Sequence, residues 1–147
     1  MQISCLRIKG GDRDLKIRLL TSDDLKRTQR GVVFSEEELV AIDKAMQHFR
    51  DLGYNVDGIM FQFTSIRKSY AYWRERRIEL TKTFLSRLNG TGKVEHIKHE
   101  IGHILFRENG HEHSPSHGAE WKKFCRKTEI KMHWSEVPLY KHQEWKK

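Results

Sequence analysis

The stretch His99-Glu100-Ile101-Gly102-His103 determines how the rest of this 147-residue chain is interpreted. Its two histidines are four positions apart, and on an α-helix that spacing places both imidazoles on one face, where they can bind one metal ion. Neutral imidazole is a good zinc ligand. The carboxylate of Glu100 can take a proton from an activated water and pass it to a leaving amine. The stretch therefore predicts a helix that carries a catalytic zinc site.

The flanking sequence also fits a helix, predicted over about residues 93–107. Apolar residues recur there at helical spacing, on a stripe that differs from that of the histidines: Val94, Ile97, Ile101 and Ile104. Gly102 costs about 1 kcal/mol of helix propensity relative to Ala, which indicates close packing at that position. His96 is interpreted either as an exposed polar residue or as a group near the site. The alternative for the whole segment is a buried helix whose histidines merely face solvent.

A catalytic zinc site needs a third protein ligand and an open fourth position. The downstream candidates are His111, His113, His117, Glu108 and Glu120. His117 is favoured because it precedes a helix that is predicted to begin near Gly118 and to pack through Trp121. A ligand at the start of a helix is held more rigidly than one within a loop. His113, in the loop, remains the alternative.

Upstream of this helix, the patterns predict an α+β fold in which a small antiparallel or mixed sheet packs on helices. Ser35 and Glu38 form the capping box of a helix that Gly53 ends. Strands are predicted at 57–65, 70–73 and 77–81, and a helical turn at 82–88. Residues 1–34 are interpreted as an N-terminal extension that can form a hairpin on the core, and residues 35–147 as the domain with the metal site.

The composition is that of a soluble globular protein, with 37% hydrophobic and 33% charged residues. No apolar run approaches the roughly 18 residues of a membrane span, and the N-terminus has no signal-peptide core. An intracellular location is therefore expected, cytoplasmic or, in a eukaryote, nuclear, with no membrane partner. Cys5 and Cys125 are too few for a disulfide framework or a four-cysteine zinc ribbon, and both are expected to be reduced thiols.

The formal net charge of +8 favours polyanionic partners, of which nucleic acid is the commonest. Residues 66–77 interleave basic and aromatic side chains, and a second basic cluster follows Trp121. The predicted DNA contacts are Arg67, Lys68, Tyr70, Trp73, Arg76, Arg77, Lys122 and Lys123. Aromatic rings stack on unpaired bases, so single strands are expected to bind better than duplex. The alternative is an amphipathic hairpin with its aromatic side chains in the core and its charges in solvent.

The run His99–Leu105, followed by His117-Gly118-Ala119-Glu120-Trp121, resembles the SprT-like metalloproteases, a family that includes bacterial SprT and the eukaryotic Spartan proteins. The resemblance covers about residues 38–128. It implies a zincin-like fold, a Zn²⁺ cofactor, His117 as the third ligand, and proteolysis. Characterised eukaryotic members cleave proteins that are crosslinked or tightly bound to DNA. Many members add a C-terminal zinc ribbon, for which this chain has too few cysteines.

Three functions are therefore compared. The first is a zinc endopeptidase that acts on DNA-associated proteins, and the second is a zinc peptidase whose protein substrate has no relation to DNA. The third is a basic nucleic-acid-binding module with a structural metal. Glu100 disfavours the third, because a structural site has no use for a carboxylate beside an open position. The oligomeric state and the natural substrate do not follow from the sequence.

Overall fold

The computed structural model describes residues 5–9, 14–16, 33–65 and 68–131. Over these residues the fold is α+β, as predicted, with one mixed sheet and four α-helices. The strands are β1 (Cys5–Lys9), β2 (Asp14–Lys16), β3 (Met60–Thr64), β4 (Tyr70–Tyr72) and β5 (Arg77–Thr81). The helices are α1 (Glu36–Asp51), α2 (Lys82–Ser86), α3 (Gly90–Glu108) and α4 (Ala119–Thr128).

The sheet has the strand order β2-β1-β3-β5-β4. Strands β3 and β5 are parallel, with Phe61 opposite Ile78, and the other neighbours are antiparallel. The sheet is therefore mixed, which is one of the two arrangements that the sequence predicts. Every residue of β3 and β5 is buried, because these strands lie in the interior of the sheet. Strand β4 lies at one edge, next to the helix that carries the two histidines.

The first two strands pair with each other, and β1 also pairs antiparallel with β3. This is the pairing that a hairpin on the core would give. The division between residues 34 and 35 stays a prediction. The residues between β1 and β2, 10–13, and those after β2, 17–32, fall outside the described residues.

Helix α1 begins as the capping box predicts. The backbone N–H of Glu38 donates to Ser35 Oγ at 3.2 Å, and the N–H of Ser35 donates to Glu38 Oε1 at 2.7 Å. The Glu38 carboxylate is buried and also accepts from Lys82 Nζ at 2.8 Å, so the cap ties α1 to the start of α2. Gly53, with φ of 92°, follows the end of the helix, as expected.

Helix α3 begins at Gly90, three residues before the predicted start at Lys93. The reason is the N-cap, because Asn89 Oδ1 accepts from the N–H of Gly92 at 2.9 Å and thereby includes both glycines in the first turn. The predicted apolar stripe is confirmed, with Ile97, Ile101 and Ile104 buried, and α3 packs on α1. No helix among the described residues is both long and apolar enough to cross a bilayer.

Helix α4 packs through Trp121, as predicted, and buries the face that this residue shares with Phe124, Cys125 and Thr128. It approaches α3 at Gly102, where little space is left. A Cβ atom at this position would lie 2.5 Å from Ile130 Cδ1 and 3.3 Å from Trp121 Cη2. Close packing, which the sequence indicated at Gly102, is therefore confirmed, and any side chain there would displace Trp121 or Ile130.

We expect Gly102→Val to lower the free energy of unfolding by about 2–3 kcal/mol, because overpacking outweighs the gain in helix propensity. Gly90→Val is the matched control, since a Cβ at Gly90 meets nothing within 4 Å and the position is exposed. Urea unfolding of both variants measures the difference. Equal stabilities would contradict the packing argument.

Candidate metal centre

Three imidazoles converge on one face of α3. His103 Nε2 lies 3.0 Å from His99 Nε2 and 3.1 Å from His117 Nε2, and the candidate ligand atoms of all three side chains lie within 4.8 Å of one another. A tetrahedral zinc with Zn–N bonds near 2.0–2.1 Å separates its ligand nitrogens by about 3.3 Å. The group can therefore hold a metal ion, and both its nitrogen ligands and its dimensions fit zinc.

The positions of the three ligands follow from two helices. His99 and His103 are one turn apart on α3, so they share a face. His117 immediately precedes Gly118, the N-cap of α4, so it lies where the loop after α3 meets that helix. One turn further on, Trp121 stacks on His103, with ring centroids 4.1 Å apart and planes within 8°. The centroid of the His99 ring lies 5.3 Å from that of the same indole, with the two planes 76° apart. Trp121 therefore contacts two of the three histidines.

Burial shifts the pKa values of two groups at this site, His103 and Glu100. Burial, with smaller contributions from His117 and Arg107, lowers the pKa of His103 to about 3, so the ring is neutral at pH 7 and able to bind a cation. Burial also raises the pKa of Glu100 to about 8. Glu100 is only 6% exposed and lines the same cleft as the histidines. A carboxyl group with its pKa near neutrality is suited to carrying protons in both directions.

The structure places the alternative third ligands elsewhere. The His111 ring stacks on Phe106 with centroids 4.4 Å apart, and His113 is exposed beside a neighbouring cavity of about 690 Å³. Glu108 pairs with Arg76, and neither Glu108 nor Glu120 belongs to the histidine group. Among the residues that the structure describes, His117 is thus the third member of the candidate metal centre.

The metal centre forms one wall of a cleft of about 440 Å³. The cleft is also lined by Lys68 and Ser69 and by Tyr70, the first residue of β4. Ser69 Oγ accepts from the N–H of Thr81 at 3.0 Å and lies 2.9 Å from His96 Nε2. His96 also packs against Phe84, so it is a partly buried link between α3 and the strand edge rather than an exposed residue.

The predicted DNA contacts differ in their exposure and in their ion pairs. Lys68, Tyr70, Lys122 and Lys123 are exposed. Trp73 is partly buried against the core. Arg76 donates to two backbone carbonyls and pairs with Glu108, and Arg77 is 3% exposed, between Glu75 and Glu79. Arg67 lies outside the described residues. The guanidinium of Arg77 would have to leave two carboxylates before it could reach a phosphate.

Two groups near the site were not singled out from the sequence. Arg107 lies one turn beyond His103 on the ligand face, and its guanidinium binds the loop before His117. Ser69 lines the same cleft as the three histidines. The spacing of His99, His103 and Arg107 was a usable signal for the first. The position of Ser69 depends on strand pairing and had no local signal.

Comparison with models of protein families, with curated proteins and with solved structures finds no match for this chain. The geometry of the site therefore carries the functional argument by itself.

His96 makes the stability of the fold sensitive to pH. Burial lowers its pKa from 6.5 to about 4, so the unfolded chain takes up the proton at a higher pH than the folded protein. The stability from neutral His96 is complete above pH 6.5 and is lost as the pH falls towards 4. From pH 7 to pH 5 the loss is about 2 kcal/mol. We expect His96→Gln to lack this component in urea unfolding with a chelator present. An identical pH dependence in wild type would contradict it.

Proposed function

We propose that the protein is a zinc-dependent endopeptidase of the SprT-like type. The observation that carries the proposal is the convergence of His99, His103 and His117 beside the buried carboxyl of Glu100 within an open cleft. A zinc ion bound there would act as a Lewis acid and would lower the pKa of the water bound to it. These residues match the chemistry that peptide hydrolysis needs.

In this proposal Glu100 carries the proton. Its carboxylate accepts a proton from the attacking water and delivers it to the amine nitrogen that leaves when the peptide bond breaks. Burial supports this role, because it raises the pKa of Glu100 to about 8, near neutral pH. The three histidines act as ligands, and Trp121 keeps the His103 ring in place through their stacked contact.

The shape of the cleft favours a peptide substrate. Strand β4, at the edge of the sheet, lies beside the metal centre, and an edge strand can pair with an extended peptide. His117 is exposed, so the site is accessible from solvent. A structural metal site closes its coordination with protein ligands, whereas among the residues that the structure describes this group supplies three. The arrangement therefore supports catalysis over a structural metal.

We further propose that the substrates are associated with DNA. The support is the net charge of +8 and the exposed basic and aromatic side chains, among which Lys68 and Tyr70 line the cleft itself. Lys122 and Lys123 lie on the exposed face of α4, the helix that follows His117. Because Arg77 is buried and Trp73 packs on the core, the proposed DNA surface consists of Lys68, Tyr70, Lys122 and Lys123.

Glu100→Gln is expected to retain zinc and stability but to lose about 10²–10⁴ in the rate of peptide hydrolysis, because an amide cannot accept the proton. Elemental analysis of dialysed protein and cleavage of an unfolded casein-type substrate give the two readouts. His117→Ala is the comparison variant, and it should lose zinc as well as activity. Near wild-type cleavage by Glu100→Gln would remove Glu100 from the mechanism.

Single-stranded DNA should bind with a steep salt dependence, with a log–log slope near −0.7 per phosphate contact. Lys122→Ala should flatten this slope by about one such contact. Tyr70→Ala should weaken the free energy of DNA binding by about 1–3 kcal/mol, because one base loses its stacking partner. Lys44→Ala is the matched control, since it removes one exposed lysine from α1. Fluorescence anisotropy with a labelled oligonucleotide measures each. No binding at low salt would leave a peptidase whose substrate is unrelated to DNA.

A further inference from the structure

Arg107 lies one turn beyond His103 on α3, so its side chain leaves the helix on the same face as the metal ligands. Its guanidinium points into the loop that connects this helix to His117. Nη1 donates to the backbone carbonyls of His111 at 2.8 Å, of Glu112 at 3.2 Å, and of Ser114. Nη2 donates to Ser116 Oγ at 3.0 Å, on the residue immediately before the third ligand.

Apart from the stack of the His111 ring on Phe106, the loop has few other attachments among the described residues. Two backbone turns, Ser114 N–H to the His111 carbonyl and Gly118 N–H to the Pro115 carbonyl, are long, at 3.2 and 3.4 Å. Arg74 pairs with Glu112 from the outside, but both side chains are exposed. A surface pair of this kind contributes little, because solvent screens the two charges. The guanidinium is therefore the main polar anchor of the loop.

We propose that Arg107 is the positioning residue for the third metal ligand, in that its guanidinium folds residues 109–116 around itself and so brings His117 to His99 and His103. The inference rests on the proposed function, because it takes these histidines as the zinc site. A planar guanidinium with five donors can bind several acceptors of a loop at once, whereas an ammonium cannot match this geometry.

The effect should appear in metal affinity rather than in stability. Arg107 is partly exposed, and all of its hydrogen bonds end on the loop. Removing them leaves the packing of α3 on α1 unchanged but lets His117 move. Groups that orient a metal ligand typically change metal affinity by about 10–100-fold. We expect a loss of this size, together with an unfolding transition of the metal-free protein close to that of wild type.

The test measures the zinc dissociation constant of the full chain by competition with a chelating dye. Arg107→Lys is the principal variant because it keeps the positive charge near the metal, so that a change reports geometry alone. It should bind zinc about 10–100-fold more weakly than wild type. Arg74→Ala is the matched control, since it releases the same loop from its exposed ion pair, and it should change zinc affinity less than twofold.

A double-mutant cycle with His117→Ala separates positioning from a general effect on the fold. If Arg107 acts through His117, Arg107→Lys should not weaken zinc binding further once His117 is absent. Equal losses in both backgrounds, or wild-type affinity in Arg107→Lys alone, would overturn the assignment of Arg107 and leave the proposed zinc site intact. A wild-type protein that binds no zinc would overturn the proposed function itself, and the role of Arg107 with it.

Discussion

The candidate metal centre depends on holding His103 Nε2 about 3 Å from the Nε2 atoms of both His99 and His117. Neutral rings that meet through their Nε2 atoms cannot satisfy one another by hydrogen bonds at every contact, since each ring carries a single N–H. All three rings could instead direct a lone pair at one bound cation, which would remove this conflict. Helices α3 and α4, and the loop that joins them, hold the three rings at these positions.

Trp121 is the point at which the site and the core meet. Its indole stacks on His103, closes on Gly102, and contacts Phe106 and Phe124, so a single side chain links a metal ligand to the hydrophobic interior. Its buried N–H has no hydrogen-bond partner in the described part of the chain. An unsatisfied donor in the interior costs about 1–3 kcal/mol. The shape of the ring, rather than its polar atom, accounts for its position.

Local rules account for what the sequence predicted well. The capping box at Ser35, the helical spacing of the two ligands on α3 and the buried face of α4 each depend on residues within a few positions of one another. The third ligand was favoured but left open, because the loop that brings it in closes through Arg107 and several carbonyls. The burial of Arg77 was missed, although Glu79 two residues away faces the same side of the strand and was a signal for that ion pair.

The arrangement of ion pairs explains why the protein can carry a positive surface beside its cleft. Many carboxylates of the described residues are engaged by basic partners within the fold: Glu38 with Lys82, Glu75 and Glu79 with Arg77, Glu108 with Arg76, and Glu112 with Arg74. Pairs of this kind cancel at a distance and contribute little to the field outside. The excess charge therefore lies on exposed side chains such as Lys68 at the cleft and Lys122 on α4. Because Lys68 lines the cleft and Lys122 lies on the helix that follows His117, a polyanion attracted by this charge would be concentrated beside the candidate metal centre.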